Sequence, residues 1–551
     1  MTARWTRVAL WTSVVSLALA ATISGITNGF AFDDIPIIVD DNRTHSLVHW
    51  WQLFAESYWP LTSGGDLYRP VTMLCFAIQW ALGGGSPLVF HIVSIVLYAL
   101  VCAAFLGILL ELLPAGAAWL GAALFAVHPL HVEPVGNVVG QSELLAALFM
   151  FLALLVFLRS RRRGTLSSRD IFVIALLYIL GCLSKEHAIV LPALLLAAEA
   201  TVLARRDSLR VRLAAIRPLG LTLAAAGLAF LWARTLVLGG TAAASDESNA
   251  LLLGQPFVIR LMTMLRVLLE WVRLFFWPAR LSADYSPRAI ELVTGPSPEM
   301  LASAAILVGF TGLAWVARHR VPVAAFAFLW VVIGLLIPSN LIIPTGFALA
   351  ERTLFLASGG VMLGVAAVVA HITPRAGHVW RPARLLAFAG VGILLVLGLV
   401  RSALRQRVWR DNDTIFAQTV EDAPASYKAH MAYAAILFEH KQRSAGLQEL
   451  ELANALFPAD PSALEYVAEE YSRVEGCERA IGLYARVLAV DPKWDRSRVG
   501  LANCLTAMGE YAEARKTLTQ GLRLGNSRSS FEQLLAINDS IEASHRQTKG
   551  N

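Results

Sequence analysis

"VALWTSVVSLALAATISGITNG" (Val8–Gly29) runs without a break into "FAFDDIPIIVDDN" (Phe30–Asn42). The first stretch is apolar over the roughly 20 residues that a helix needs to cross a bilayer core. The second sets two pairs of adjacent carboxylates, Asp33–Asp34 and Asp40–Asp41, at the edge of that span. The basic start "MTARWTR" and the small-residue "ALAAT" are also features of a secretory signal. However, the apolar run exceeds a signal's core, and further runs like it follow, so an uncleaved membrane helix is expected.

The rest of the chain repeats that pattern. Of 551 residues, 56% are hydrophobic and only 16% charged, whereas soluble domains carry about 25% charged residues. Apolar blocks fall at Val8–Gly29, Leu88–Leu112, Ala117–Val135, Leu144–Leu158, Ile171–Ser184, Ile189–Leu203, Leu219–Leu238, Leu301–Val316, Val321–Ile337, Leu354–Ala370 and Leu385–Val400. The reading is an all-α, polytopic membrane protein of about eleven spans. The net charge of +6 gives no reason to expect nucleic acid, because the arginines sit in short loops between spans. The five cysteines form no metal pattern. Cys477 and Cys504 are expected as free thiols, a bond between them being the alternative for an extracytoplasmic domain.

Orientation follows from the same arginines. "RSRRRGTLSSRD" (Arg159–Asp170), "RRDSLRVRLAAIR" (Arg205–Arg217), "ARHR" (Ala317–Arg320) and "HITPRAGHVWRPAR" (His371–Arg384) are short basic loops, which stay cytoplasmic. All four fall inside only if "FVIRLMTMLRVLLEWVRLFFW" (Phe257–Trp277) does not cross. Its Arg260, Arg266, Glu270 and Arg273 share roughly one helix face, so residues 257–277 are read as an interfacial amphipathic helix. The first loop, 30–87, then lies outside with "HPLHVEPVGNVVGQSE", "SKEH", "PARLSADYS" and "PSNLIIPTGFALAER".

Beyond the last span the composition shifts to alanine, charge and small apolar residues. Pro424, Pro458, Pro492 and Asn526 recur at one interval, the 34-residue period of tetratricopeptide (TPR) repeats. Ala480, Tyr484, Gly509 and Ala514 fall in phase with it. The expected organisation is a membrane domain over 1–403 and an α-solenoid of a half repeat plus about three repeats over 404–551. A TPR groove commonly takes a polypeptide.

Candidate chemistry gathers on the outer loops. Asp33–Asp34 lies within a few residues of the span's end, and neighbouring carboxylates raise each other's proton affinity, which suits a general base. Asp40–Asp41, farther on, reads as solvated loop. Arg69 in "DLYRPV", with Lys185 and Arg352, could clamp a phosphate. His128, His131 and Glu133 have metal-ligand spacing, although Pro129 and Pro134 break the helix that would align them. A divalent cation on Glu133 and His131 is thus an alternative that the reading does not require, and no other cofactor is implied. Walker, dinucleotide and nucleophile-elbow motifs are absent.

Taken in order, "FDDIPIIVDDN", "YRPVT", "HPLHVEPVGNVVGQSELLAALFMFL", "SKEHAI", "RLSADYS" and "AERTLFLASGG" resemble motifs of the transmembrane-and-TPR-repeat-containing (TMTC) O-mannosyltransferases of the GT-C superfamily. The resemblance covers nearly the whole chain. It implies transfer of a sugar, mannose foremost, from a polyprenyl-phosphate donor to a protein Ser/Thr hydroxyl on the extracytoplasmic face. By position, Asp33 and Asp34 match the family's acidic motif, Arg69 its Y-R-P arginine, Glu133 its second-loop glutamate, and Glu351–Arg352 its late A-E-R motif. Glu143 in "GQSE" stands near a usual aspartate, and "LSADYS", with Asp284, replaces "LSFDWS". The short array and the Arg/Ala/Leu-rich composition suggest a bacterial homologue in the inner membrane. A lipid or glycan acceptor, and a non-enzymatic membrane-anchored TPR scaffold, are the alternatives.

Overall fold

The computed structural model describes residues 2–60, 67–164, 166–203, 208–239, 251–286, 289–345, 347–372, 381–457, 461–524 and 528–549. Helices and turns account for the regular structure there, with no β-strand element among the described residues. Two compact units result. One runs to Gln418 apart from a short loop, and the other comprises Asp284–Glu291 with Thr419–Asn551.

The first unit contains α1 (Thr2–Thr22), α2 (Pro70–Gly83), α3 (Pro87–Leu112), α4 (Ala115–Ala126), α5 (Val132–Gly136), α6 (Gln141–Arg163), α7 (Ser168–Ser184) and α8 (Leu191–Ala200). It continues with α9 (Leu209–Leu238), α10 (Phe257–Phe276), α11 (Pro298–Ala317), α12 (Pro322–Gly334), α13 (Phe355–Ile372) and α14 (Arg381–Gln406). Among the described residues, seven helices are long and apolar enough to cross a membrane. The remaining expected spans are helical but broken or short. α4 and Pro129–Gly136 form a pair bent by 51°, while α7, α8 and α12 have 17, 10 and 13 residues. The protein is therefore a multi-pass, all-α membrane protein. α11 and the Leu386–Trp409 span are largely exposed, as helices facing lipid tails would be.

The core lies where α3, α4, α6, α12 and α13 meet. α3 is apolar all round and is buried on most of its surface. Phe105 packs on Phe125 at 4.6 Å and on Phe151 at 5.7 Å between ring centroids. Trp330 adds its edge to Phe151 and donates its indole N–H to the Leu356 carbonyl at 2.9 Å. Small residues let the backbones approach, as is usual where helices pack in lipid. A Cβ on Gly121 would stand 2.6 Å from Leu109 and 2.9 Å from Ala366, and one on Gly360 would stand 2.9 Å from the Ala327 carbonyl oxygen.

α10 is not among the spanning helices. Met264, Val267, Trp271 and Leu274 are buried along one stripe, and Phe257, Val258 and Phe276 are exposed. The first loop has its own small core of Ile37, Ile38, Leu53, Tyr58, Met73 and Phe76, packed on Val138 and Val139. Asp41 departs from expectation. It is buried, and its carboxylate binds Arg43 through Nε and Nη2, while Asp40 is exposed.

The second unit is a stack of antiparallel helix pairs. α15 (Asn412–Asp422), which belongs to the first unit as far as Gln418, leads into α16 (Tyr427–Glu439), α17 (Arg443–Leu456), α18 (Pro461–Val474), α19 (Cys477–Val490), α20 (Asp495–Ala507), α21 (Tyr511–Leu524) and α22 (Arg528–Lys549). The in-phase residues are its core: Ala480, Tyr484 and Ala514 are buried. Gly509 turns the chain at φ +84°, a conformation that costs glycine little. Pro458 and Asn526 of the repeat interval lie outside the described residues. The cysteine expectation is corrected here: Cys477 and Cys504 form a disulfide joining the start of α19 to α20.

Candidate functional site

The acidic pair is built by a strained turn. Phe32 has φ +56°, a conformation costing a bulky residue about 1–3 kcal/mol. Its amide donates to Asn412 Oδ1 at 2.7 Å, and its ring packs against Trp409 and Phe416. The turn sends the two carboxylates in different directions. Asp34 is fully buried and accepts three backbone N–H groups, from Ala31 at 3.3 Å, Val138 at 3.2 Å and Val139 at 2.9 Å. Burial raises its pKa to about 7, against the pull of those donors. Both its oxygens are occupied, so Asp34 clamps the loop to the Val138–Val139 turn, while Asp33 points elsewhere. Asp33 keeps a side chain that is 17% exposed, and Arg352 Nη1 donates to its Oδ2 at 2.9 Å.

Arg352 comes from the loop before α13. Asn340, buried and at φ +56°, organises that loop. Its side-chain amide donates to the Pro338 and Phe347 carbonyls, and its Oδ1 accepts from Thr345. Arg260 of α10 donates to the Asn340 carbonyl at 2.8 Å. The broken span supplies the third partner. Glu133 Oε2 accepts the Arg352 main-chain N–H at 2.8 Å, and its Oε1 lies 3.5 Å from the guanidinium. Glu351 points elsewhere, its Oε1 accepting the Ser282 amide at 2.6 Å.

A second set of charges adjoins this triad. Arg69 Nε donates to Glu186 Oε2 at 2.9 Å and lies over the Tyr58 ring, 4.9 Å from its centroid. Glu186 also accepts the Tyr68 amide. Burial alone would raise the Glu186 carboxyl, but Arg69 and these donors outweigh it and hold it below its ordinary value. Lys185 Nζ donates to Glu143 Oε2 at 2.5 Å. Burial pushes the Lys185 ammonium down, with Arg69 and Arg352 adding repulsion and Glu143 opposing. His187 Nε2 lies 3.2 Å from the other Glu143 oxygen without forming a hydrogen bond. Burial, with Lys185 and Arg69 beside it, takes that imidazole down to about 4. Between the two sets stands Tyr58, whose buried hydroxyl has no hydrogen-bond partner among the described residues. It feels Arg69, Asp33, Arg352 and Asp34 together, and burial foremost raises its pKa.

The structure thus gathers Asp33, Arg69, Glu133, Glu143, Lys185 and Arg352 into one network of charges, each cation already holding a carboxylate. Glu186, His187 and Tyr58 belong to it as well, although sequence reasoning passed over them. Asp284 is not among them. It lies in the other unit, accepting Ser426 Oγ at 2.5 Å and the Ser286 amide. His128, His131 and Glu133, the alternative metal set, each have other partners. His128 donates Nε2–H to the Phe275 carbonyl and accepts the Leu130 amide at Nδ1. His131 is engaged at both nitrogens, by Tyr98 and Ser358, and Glu133 serves Arg352. Among the described residues no three His, Cys, Asp or Glu side chains are grouped to hold a metal ion.

Fold and site together define a multi-pass membrane protein with a buried ionic centre and a TPR array. Residues 478–537 match the family model for the tetratricopeptide repeat. Over most of its length the chain is similar to proteins named protein O-mannosyl-transferases, as the ordered motifs led one to expect. Human TMTC4 is 27% identical over 479 residues, covering 76% of this chain and 63% of that protein. Drosophila melanogaster Tmtc1 is 26% identical over 501 residues, covering 74% and 57%. Mouse TMTC3 is 33% identical over a shorter stretch of 154 residues, 27% and 17% of the two chains. The chain spans less than two thirds of the length of these relatives. The crystal structure of yeast Tom70 aligns at 11% identity and a TM-score of 0.22, covering 78% of this chain and 92% of that one, a likeness too slight to build on.

Proposed function

We propose that this chain is a membrane glycosyltransferase that moves a sugar, mannose foremost, from a polyprenyl-phosphate donor to a Ser/Thr hydroxyl of a polypeptide, with inversion. The observation that carries the reading is the Asp33–Arg352–Glu133 triad joined to Arg69 and Lys185, set in a chain similar to O-mannosyl-transferases. Asp33 takes the proton of the acceptor hydroxyl, whose oxygen bonds to the anomeric carbon as the bond from that carbon to the phosphate oxygen breaks. The departing polyprenyl phosphate gathers negative charge, which Arg352, Arg69 and Lys185 neutralise in a water-poor setting. Glu133 holds Arg352 in place, and Asp34 holds the loop that carries Asp33. No residue forms a covalent bond to the sugar, which is consistent with inversion.

The same reading sets the site on the extracytoplasmic face of the membrane, a bacterial inner membrane by the chain's composition, and α6 supports that face. Glu143 lies in its first turn and Arg161–Arg163 in its last. At ~1.5 Å per residue, Glu143 and Arg161 stand about 27 Å apart, close to one hydrocarbon core. Arginine-rich ends face the cytoplasm, so the Glu143 end faces outward, with α10 lying along the interface. The Cys477–Cys504 disulfide fits an oxidising compartment for the TPR unit, which offers the acceptor polypeptide. Purified protein in liposomes, given a panel of polyprenyl-phospho-sugars, should release polyprenyl phosphate only when a Ser/Thr peptide is present. Release with no donor of the panel would refute the reading. Release that needs a glycan or lipid acceptor would replace the acceptor.

A further inference from the structure

The turn that carries Asp33 is anchored on both sides. Asp34, the residue after it, is fixed to the broken span through the Val138 and Val139 amides. Phe32, the residue before it, is fixed to the segment that follows the last span. Its main-chain N–H donates to Asn412 Oδ1 at 2.7 Å, across 380 residues of sequence. Further bonds run along the same segment. Ser24 Oγ donates to the Ala403 carbonyl at 2.6 Å, Asn28 Nδ2 to the Gln406 carbonyl at 2.8 Å, and the Gly29 amide to the Arg410 carbonyl at 2.8 Å. The segment also reaches α5, the helix that carries Glu133. Ala31, Val132, Trp409 and Ile415 form one buried cluster, and a Cβ on Gly136 would stand 3.0 Å from the Trp409 side chain. Residues 403–416 thus brace the supports of both Asp33 and Glu133, the two carboxylates that share Arg352.

Within this brace, Asn412 meets the strained residue itself. Relaxing Phe32 from φ +56° to a negative φ would rotate the peptide planes on its two sides against each other. Asn412 fixes the plane before Phe32, and the Asp34 clamp fixes the chain after it. The strained turn therefore persists only while both anchors hold, as strain at a functional site must be held by its surroundings. We infer that Asn412 is a positioning residue for the proposed transfer: by holding the Phe32 turn, it sets the Asp33 carboxylate against Arg352. The role in transfer rests on the reading of the activity given above, whereas the hold on the turn does not.

The test uses the full-length protein with Asn412→Ala, Asn412→Asp or, as a control at an exposed position, Arg407→Gln. Amide hydrogen exchange over residues 29–36 should quicken about tenfold in Asn412→Ala, the worth of one hydrogen bond. It should stay near wild type in the other two, because aspartate keeps the acceptor oxygen at a helix start that favours a carboxylate. With donor and Ser/Thr peptide, kcat of Asn412→Ala should fall on the order of 10–10²-fold, as for a misplaced reacting group. The donor KM should stay within about twofold, since the cations that meet the phosphate are untouched. Asn412→Asp should recover most of kcat. Asp33→Asn and Asn412→Ala together should lower Tm by less than the sum of their separate effects, because both act on one contact. Unchanged exchange in Asn412→Ala, or additive Tm losses, overturns the inference. Faster exchange with an unchanged kcat overturns the role in transfer. If the wild type transfers no sugar, the reading of the activity falls, and exchange and the Tm cycle decide the hold on the turn. If Asn412→Ala does not fold, Asn412→Ser, whose hydroxyl falls one bond short of Phe32, takes its place with the same expected results.

Discussion

Arg352→Gln is the substitution that separates structure from chemistry at the site. Arg352 serves Asp33, whose side chain is 17% exposed, and Glu133, at 4%. Removing the guanidinium leaves the buried Glu133 carboxyl without its counter-charge, with the residue-352 main-chain N–H still bonded to it. Breaking a buried pair costs ~3–5 kcal/mol, and because that N–H survives, the lower end, about 3 kcal/mol, applies. Glu133→Gln alone should cost less, since Arg352 keeps Asp33. The double variant Arg352→Gln/Glu133→Gln should regain about half or more of the loss, because no uncompensated charge remains buried. Sugar transfer should behave otherwise. It falls on the order of 10²–10³-fold in both variants that lack Arg352, as expected when a group stabilising transition-state charge is removed. The assay pairs denaturant unfolding in detergent with turnover in liposomes. Equal stability of Arg352→Gln and wild type, or a double variant no more stable than the single one, would refute the triad. Turnover recovered in step with stability would remove Arg352 from phosphate binding.

Asp34 supplies a pH test. Its folded-state pKa is raised to about 7 from 3.8, so the folded state binds the proton more tightly than the unfolded one. This contribution is fully present below about 4, is lost as pH rises towards 7, and is flat above that. Unfolding curves from pH 4.5 to 8 should show that decline in the wild type and lose it in Asp34→Asn. Cys477→Ser/Cys504→Ser should destabilise the TPR unit by about 3–4 kcal/mol in the chain-entropy account of a loop this long, with reductant matching the effect in wild type by unfolding assay. Tyr58→Phe removes a buried hydroxyl that has no partner among the described residues, so it should not lower stability. If that hydroxyl meets the donor, turnover should fall about tenfold, the worth of one hydrogen bond made in the transition state; unchanged turnover would exclude the contact.

The spans were legible because a bilayer imposes one length on every crossing, and the repeat was legible because each unit repeats its core positions at one interval. What lay hidden was pairing. Asp33 and Asp34 are adjacent, and only the φ +56° turn at Phe32 makes one a loop clamp and the other a partner of Arg352. Arg69 and Lys185 stood out as lone cations, yet their carboxylates, Glu186 and Glu143, lie 117 and 42 residues away. Glu186 and His187 sat beside Lys185 in "SKEH" and were passed over, because a charged run at a span end reads as solvated until packing buries it. The disulfide could have been found. In a TPR stack the start of one second helix faces the following first helix, which is where Cys477 and Cys504 fall. Asp284 was placed by motif order alone, and the structure gives it to the other unit.

The central claim is that Asp33 takes the acceptor proton. Wild-type and Asp33→Asn protein, reconstituted in parallel, should be given the donor and Ser/Thr peptide that support wild-type transfer. Membrane insertion should match and stability should fall only modestly, because Arg352 keeps Glu133, while glycopeptide formation by Asp33→Asn falls by at least 10²-fold, the lower range for losing a general base. Turnover by Asp33→Asn within a few-fold of wild type would contradict the account.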